Sequence, residues 1–343
     1  MSKASWIALD VGGANIKAAH TSGAARTLPF ELWKRPDELG RVLAALGSTF
    51  PQSERVALTM TAELSDCYPT KAIGVNAVLD AVTDAFPNRP ISVWGVDCRF
   101  HEVSAIREQP ALAAAANWLA LATLAARIVP HGEGLLIDVG TTTTDLIPLR
   151  GGRAVARGLT DTRRLQTGEL VYAGVRRTPV FALATELPYH GVPTGLAAEL
   201  FASTLDVYVT LGEIEPDPKD LSTADGRPAT IEAARDRLAR MVGADRDSFT
   251  AADATAFARG ADEVLLGRLL AAAERACRAV EVRPRGAVVS GSGTFLARRL
   301  ARRLVERDED VLSLADAWGP VASSAGCAHA LVILASEQLS GAP

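Results

Sequence analysis

Apolar and polar positions along the first 130 residues follow a strand–helix rhythm. Apolar stretches at 5–11 and 14–21 flank a short glycine-containing turn and predict a hairpin, and 26–33 predicts a third strand. Leu39, Val42, Leu43 and Leu46 recur on one face and predict a helix over 37–49. A strand at 55–61 then leads into a polar loop, followed by a helix at 75–86, a strand at 91–96 and a helix at 111–128. The order is βββαβαβα. It begins again with a hairpin at 134–139 and 143–149 and a third strand at 154–159. It finishes with a helix at 258–280, a strand at 286–290, a helix at 294–306, a strand at 310–313 and a helix at 323–338. Between the third strand and the later helices lies an excursion, 162–257, with a loop rich in Pro and Asp at 213–228 and a helix at 230–242. Excursions of that length usually carry specificity rather than scaffold.

The second hairpin turns through Asp138-Val139-Gly140-Thr141-Thr142-Thr143-Thr144-Asp145, and the first through Asp10-Val11-Gly12-Gly13-Ala14-Asn15-Ile16-Lys17. In both, a second charged residue stands seven positions after the first aspartate. Two copies of one α/β unit predict two lobes, 1–130 and 131–343, around a central cleft faced by both turns. Carboxylates beside free backbone N–H groups and hydroxyls suit a phosphate chain carrying Mg²⁺, because the anion needs donors and the metal needs hard oxygens. Asp10 and Asp138 are therefore expected to act on the metal, directly or through water. Lys17 would neutralise phosphate oxygens, and Gly12, Gly13, Asn15, Gly140, Thr141, Thr142 and Thr143 would line the phosphate site. Asp145 fits either a metal ligand or an anchor for its hairpin. A third turn, Ser290-Gly291-Ser292-Gly293-Thr294, joins a strand to a helix, where glycines admit a close approach and the helix start offers donors to an anion.

Thr59-Met60-Thr61-Ala62-Glu63-Leu64-Ser65-Asp66 leaves the fourth strand of the first lobe at the place matching Ser290-Gly291 in the second. Pseudosymmetry puts it on the cleft, so Glu63 and Asp66 are candidates for a general base or for amine recognition. Arg163-Arg164 and Arg176-Arg177 follow the third strand of the second lobe. Arginines there suit phosphate or carboxylate, with Arg163 and Arg176 the candidates named for that role.

Composition narrows the function class. The chain has 343 residues, a formal net charge of −4 and 48% hydrophobic residues, and a pI near 5.8. That balance points to small-molecule substrates rather than nucleic acid or an anionic membrane. Cys67, Cys98, Cys277 and Cys327 form no C-x-x-C pair, which fits a reducing cytoplasm and neither a zinc site nor a disulfide framework. No apolar leader precedes the first strand. The alanine-rich stretch 111–129 holds Asn117 and Arg127 and predicts a buried helix rather than a membrane span. A homo-oligomer is compatible with this composition.

Duplicated βββαβαβα lobes of ribonuclease H-like type resemble the actin, sugar kinase and Hsp70 superfamily over essentially the whole chain. Asp138-Val-Gly-Thr-Thr-Thr-Thr-Asp145 is similar to the Asp-x-Gly-Gly-Thr-Ser-Thr-Asp element of the hydantoinase A/oxoprolinase group. The segments Leu9–Lys17, Thr59–Glu63, Gly158–Arg163, Thr167–Pro179 and Ala224–Pro228 further resemble the tetrahydromethanopterin-linked C1-transfer branch, which includes a methanofuran-biosynthesis synthase. Ala62 stands where the branch pattern has glycine. The resemblance implies a transferase in which an (aminomethyl)furanmethyl diphosphate loses diphosphate to the phenol oxygen of a glutamyl-tyramine or tyrosine unit. Superfamily kinases place two adjacent glycines in the third turn, whereas Ser292 separates Gly291 from Gly293, and hydroxyl residues where this chain has Gly13-Ala14-Asn15. Both departures point from ATP towards a diphosphate outside a nucleotide. An ATP-dependent small-molecule kinase or hydantoinase-like enzyme is the alternative, and a nucleotide-switched binding protein a third reading.

Overall fold

The computed structural model describes residues 4–339. The first half contributes β1 (Trp6–Val11), β2 (Asn15–His20), β3 (Ala25–Pro29), α1 (Leu39–Gly47), β4 (Arg55–Met60) and α2 (Lys71–Ala85). It continues with β5 (Ile91–Trp94), β6 (Phe100–Glu102), α3 (Val103–Glu108) and α4 (Asn117–Ile128). Its sheet runs β3-β2-β1-β4-β5-β6, with β1, β4 and β5 parallel. The second half contributes β7 (Glu133–Val139), β8 (Thr144–Arg150), β9 (Arg153–Ala154), α5 (Asp161–Thr167) and β10 (Leu170–Val171). The excursion adds β11 (Glu186–Tyr189), β12 (Val192–Gly195), α6 (Thr204–Thr210) and α7 (Ile231–Arg240). The chain finishes through α8 (Ala251–Ala279), β13 (Gly286–Ser290), α9 (Thr294–Leu304), β14 (Val311–Ser313), α10 (Leu314–Ser324) and α11 (Gly326–Gln338). The second sheet runs β10-β8-β7-β13-β14, with β9 also on β8. Two duplicated α/β lobes are thus present, and short additions such as β6 and α3 are new.

Three elements depart from the expected pattern for local reasons. The third strand of the second lobe, expected at 154–159, is broken into β9 and β10, which pair with opposite ends of β8. The buried Glu169 carboxylate accepts the N–H groups of Arg157 (2.5 Å) and Gly158 (2.8 Å) and draws the chain off the sheet. Thr160 then caps α5, and Gly168 at φ +87° ends it. The helix expected at 111–128 begins only at Asn117, because Ala115 sits in the left-handed region at φ 50°. The helix expected at 323–338 is split: α10 is kinked at Gly319-Pro320 and meets α11 at 97°. Among the described residues no single helix is long and apolar enough to cross a membrane.

The core explains how the lobes are joined. One apolar cluster packs α1 and α2 on the outer face of the first sheet, and another packs α8, α9 and the excursion on the second. A third lies between the two sheets and is built around Trp6, Trp94, Trp118 and helices α4 and α11. Burial of each of these large side chains contributes about 2–3 kcal/mol. The helices are exchanged: α4, from the first half, packs on β7, β8 and β9, while α11, from the second, packs on β1, β2 and β4. In the excursion, fully buried Arg237 ties Asp206 (2.7 Å) to Asp225 (3.0 Å), fixing the 213–228 loop against α6 and α7. A guanidinium paired with two carboxylates is the form in which burial of that charge is tolerated.

Candidate active site at two facing turns

The two hairpin turns are built alike. In the first, Gly12 N–H donates to the Asn15 carbonyl at 3.0 Å, and in the second Gly140 N–H donates to the Thr143 carbonyl at 2.8 Å. Asp10 is the cross-strand partner of Lys17, as Asp138 is of Asp145. The strand beside each hairpin also ends alike, with Thr61 N–H on the Val11 carbonyl (2.9 Å) and Gly293 N–H on the Val139 carbonyl (2.8 Å). Tight turns of this shape leave amides pointing outward. Among the described residues the N–H groups of Gly13, Ala14, Thr141 and Thr142 have no acceptor within the protein. Thr141, Thr142 and Thr143 are partly exposed, whereas Thr144 is buried and donates to the Ala173 carbonyl at 2.8 Å.

Between the turns the charges are concentrated. Lys17 lies in the field of Asp10, Asp138 and Asp145 and of the buried Cys327 thiol at the start of α11. Burial alone would lower the lysine pKa, but these neighbours, Asp10 foremost, hold it above the ordinary value. Burial raises Asp10, tempered by Lys17 and by Asn117, whose Nδ2 donates to Asp10 Oδ1 at 3.3 Å. Asp138 is pushed up to about 6, by burial first and then by the Asp145 charge, against Lys17 and a hydrogen bond from Ser290. Asp145 is raised by burial and held back by the guanidinium of Arg164, its direct partner. Arg164 also reaches Asp161 at 3.4 Å and lies 4.1 Å over the ring of Trp118, on the exchanged helix α4. Asp145 is therefore an anchor for Arg164.

The donors present are hard oxygens. No group of three or more His, Cys, Asp or Glu side chains is placed to hold a metal among the described residues. Asp10 and Asp138 lie within each other's field and Ser290 donates to Asp138, a set that fits a small divalent ion held by one or two carboxylates, water and substrate oxygens rather than a protein cage.

The third turn packs against the second hairpin. Gly291 has φ +90°, and a Cβ there would stand 2.2 Å from the Val139 carbonyl oxygen and 2.6 Å from Asp138 Oδ1. At Gly293 a Cβ would meet Val139 and Val175 side chains at 2.5 and 2.6 Å. Both glycines are required by contact with the end of β7, and Ser292 between them is exposed.

The loop after β4 separates its two acids. Glu63 is 1% exposed and neither carboxylate oxygen has a hydrogen-bond partner. Burial drives its pKa to about 7, with its own amide, Lys71 and the Ala115 amide opposing, and with Asp161 of the second lobe adding to the rise. Asp66 is exposed. The same loop touches the first turn, since a Cβ on Gly13 would lie 2.9 Å from Ser65 Oγ and one on Gly12 3.5 Å from Thr61 Oγ1.

The two arginine candidates are placed otherwise than expected. Arg163 lies on the exposed side of α5 and donates to Gln166 at 3.1 Å, because the helical turn directs Arg164 inward instead. Arg176 is beside the second turn, its N–H on the Thr141 carbonyl at 3.1 Å, but its guanidinium is paired with Asp220 of the excursion. Sequence reasoning did not single out Asn117 or Cys327 for the site, and it named Ser290 and Arg164 only as members of the third turn and of an arginine pair. Asn117 had a visible signal, an amide at the head of an alanine-rich apolar helix; Cys327 had none.

The hydantoinase/oxoprolinase family model matches residues 54–335. A protein of Methanocaldococcus jannaschii is 36% identical over 244 residues, 70% of this chain and 72% of that protein. A protein of Methanococcus vannielii is 27% identical over 206 residues, 60% of this chain and 91% of that one. Both relatives are named as synthases of a furanyl methanamine that carries a γ-L-glutamylaminoethyl-phenoxymethyl group. Among solved structures, nucleotide-free acetone carboxylase, from work on ATP-dependent acetone carboxylation, shares the fold. Its TM-score is 0.54 at 9% identity, over 97% of this chain and 70% of that one.

Proposed function

The chain belongs to the hydantoinase/oxoprolinase family, and from that premise we propose that it is a transferase of methanofuran-type C1-carrier biosynthesis. It joins an (aminomethyl)furanmethyl diphosphate to the phenol oxygen of a glutamyl-tyramine or tyrosine unit and releases diphosphate. The relatives' product carries the corresponding bond, an aryl oxygen attached to a methylene on a furan. The observation that carries the reading is the pair of facing turns, with free amides on both sides, Lys17 between them and Asp10 and Asp138 beneath.

The chemistry asks little covalent work of the protein. The bond from the furan methylene to the diphosphate oxygen breaks, and a bond from the same carbon to the phenol oxygen forms. The ring shares the positive charge that develops on the methylene, so the demand falls on the departing anion. The amides of Gly13, Ala14, Thr141 and Thr142 and the Lys17 ammonium meet its oxygens without reorganising, and this kind of preorganised donor contributes several kcal/mol. Asp10 and Asp138 would hold Mg²⁺, which when bound would supply further positive charge to a departing anion. Glu63 takes the phenol proton: it is buried, has no partner of its own, and has a pKa near neutrality, as a base working at neutral pH requires.

The test is incubation of purified protein and Mg²⁺ with ATP, or with the furanmethyl diphosphate and the phenol. Diphosphate release coupled to ether formation in the second mixture is the expected result. ADP from the first mixture, with no ether from the second, would overturn the reading in favour of an ATP-dependent enzyme.

A further inference from the structure

The two turns are joined across the mouth of the cleft by a contact between side chains that sequence separates widely. Trp33 follows β3 in the first lobe, and the N–H of Leu32 beside it donates to the Gly13 carbonyl at 2.9 Å. Arg177 lies in the second lobe, and its own N–H donates to the Thr141 carbonyl at 3.0 Å. Each residue is therefore pinned through backbone to one of the two facing turns. Their side chains meet between them, with the Arg177 guanidinium carbon 5.4 Å from the centre of the Trp33 ring.

The charges around Arg177 distinguish it from its neighbours. Arg176 is neutralised by Asp220 and Arg164 by Asp145 and Asp161. Arg163 points to the outer side of its helix. Arg177 is exposed and has no carboxylate within ion-pair distance among the described residues. Below it, Lys17 is one cation among three carboxylates, Asp10, Asp138 and Asp145. A diphosphate entering the cleft brings several further negative charges and needs more positive charge than Lys17 supplies. A guanidinium held over an indole by cation–π attraction keeps N–H donors available to anionic oxygens.

We infer that Arg177 contacts the diphosphate directly, closing over it from the second lobe, and that Trp33 of the first lobe is the platform holding the guanidinium there. The inference rests on the diphosphate reading of the cleft and extends it to a residue outside both turns.

Calorimetric titration of the full-length protein with inorganic diphosphate in the presence of Mg²⁺ tests it, with inorganic phosphate run in parallel. Arg177→Ala should weaken diphosphate binding about ten- to hundredfold, the loss expected for hydrogen bonds to a charged group. Arg177→Lys should restore only part of it, since a point charge lacks the fork. Trp33→Phe should bind nearly as the parent does, and Trp33→Ala should fall between the parent and Arg177→Ala. Both positions are at the surface of the cleft, so unchanged thermal melts should accompany the losses. Diphosphate binding by Arg177→Ala within twofold of the parent would overturn the inference while leaving the cleft assignment intact. A parent protein that binds no diphosphate would overturn both.

Discussion

Glu63 shows how one side chain can couple catalysis to stability. Its carboxylate has no hydrogen-bond partner, and its pKa stands at about 7 against an ordinary 4.5. As the base for the phenol proton it acts only when ionised, so kcat/KM should rise with pH to a plateau above about 7, with unit slope below. Glu63→Gln should remove that limb and lower turnover roughly a hundred- to ten-thousandfold. Stability moves the other way. Between pH 4.5 and 7 the unfolded chain releases this proton while the folded one retains it, so the fold loses about 3 kcal/mol as pH rises through that window. Glu63→Gln is spared this loss. Its melting temperature should gain on the parent between pH 5 and pH 8, and a constant difference across that range would show that the carboxyl is not held neutral by burial. Asp138 is expected to matter for turnover without holding the fold. Asp138→Ala should lower the rate by roughly a hundred- to a thousandfold with an unaltered circular dichroism spectrum, and near-parental turnover would remove Asp138 from the chemistry.

The element that sets the shape of the second turn is the segment following β10. Val175 N–H reaches the Gly140 carbonyl at 3.0 Å, and a Cβ on Gly174 would stand 2.5 Å from that same oxygen and 2.6 Å from Thr142 N. Gly174→Ala should therefore push the Thr141–Thr142 amides out of line. Diphosphate affinity should fall about tenfold or more, with little change in melting temperature; unaltered affinity would mean that the segment does not shape the turn. None of this is written in local pattern. The hairpins were legible because apolar periodicity and a glycine turn are local signals, and their repetition disclosed two lobes. The broken third strand was not, because Glu169 draws residues 157 and 158 off the sheet from twelve and eleven positions away. Whether Arg163 or Arg164 faces inward depends on where α5 starts, and the Thr160 cap decides that. The contact of Arg177 with Trp33 joins two lobes and has no trace in either segment alone.

At the scale of the molecule, α4 and α11 are each supplied by one half of the chain and buried on the sheet of the other. Cutting at Pro130–Gly132 leaves α4 without the sheet that covers Trp118, Leu121 and Ala125 and leaves the first sheet without α11. The two pieces made separately should be insoluble or molten, and made together they should associate and recover diphosphate binding. Two independently folded, soluble halves would show that the exchange is dispensable. The same exchange is what a pair of identical chains would show after trading their last helices, so the fold reads as a swapped dimer fused into one polypeptide. A single chain is free of that symmetry. Two identical halves must place the same residue at both equivalent points of the cleft, whereas here one point carries Lys17 and the other Asp145. The two turns are thereby unlike, one setting an ammonium beside its aspartate and the other a carboxylate held by Arg164, so the two ends of a bound ligand meet different chemistry.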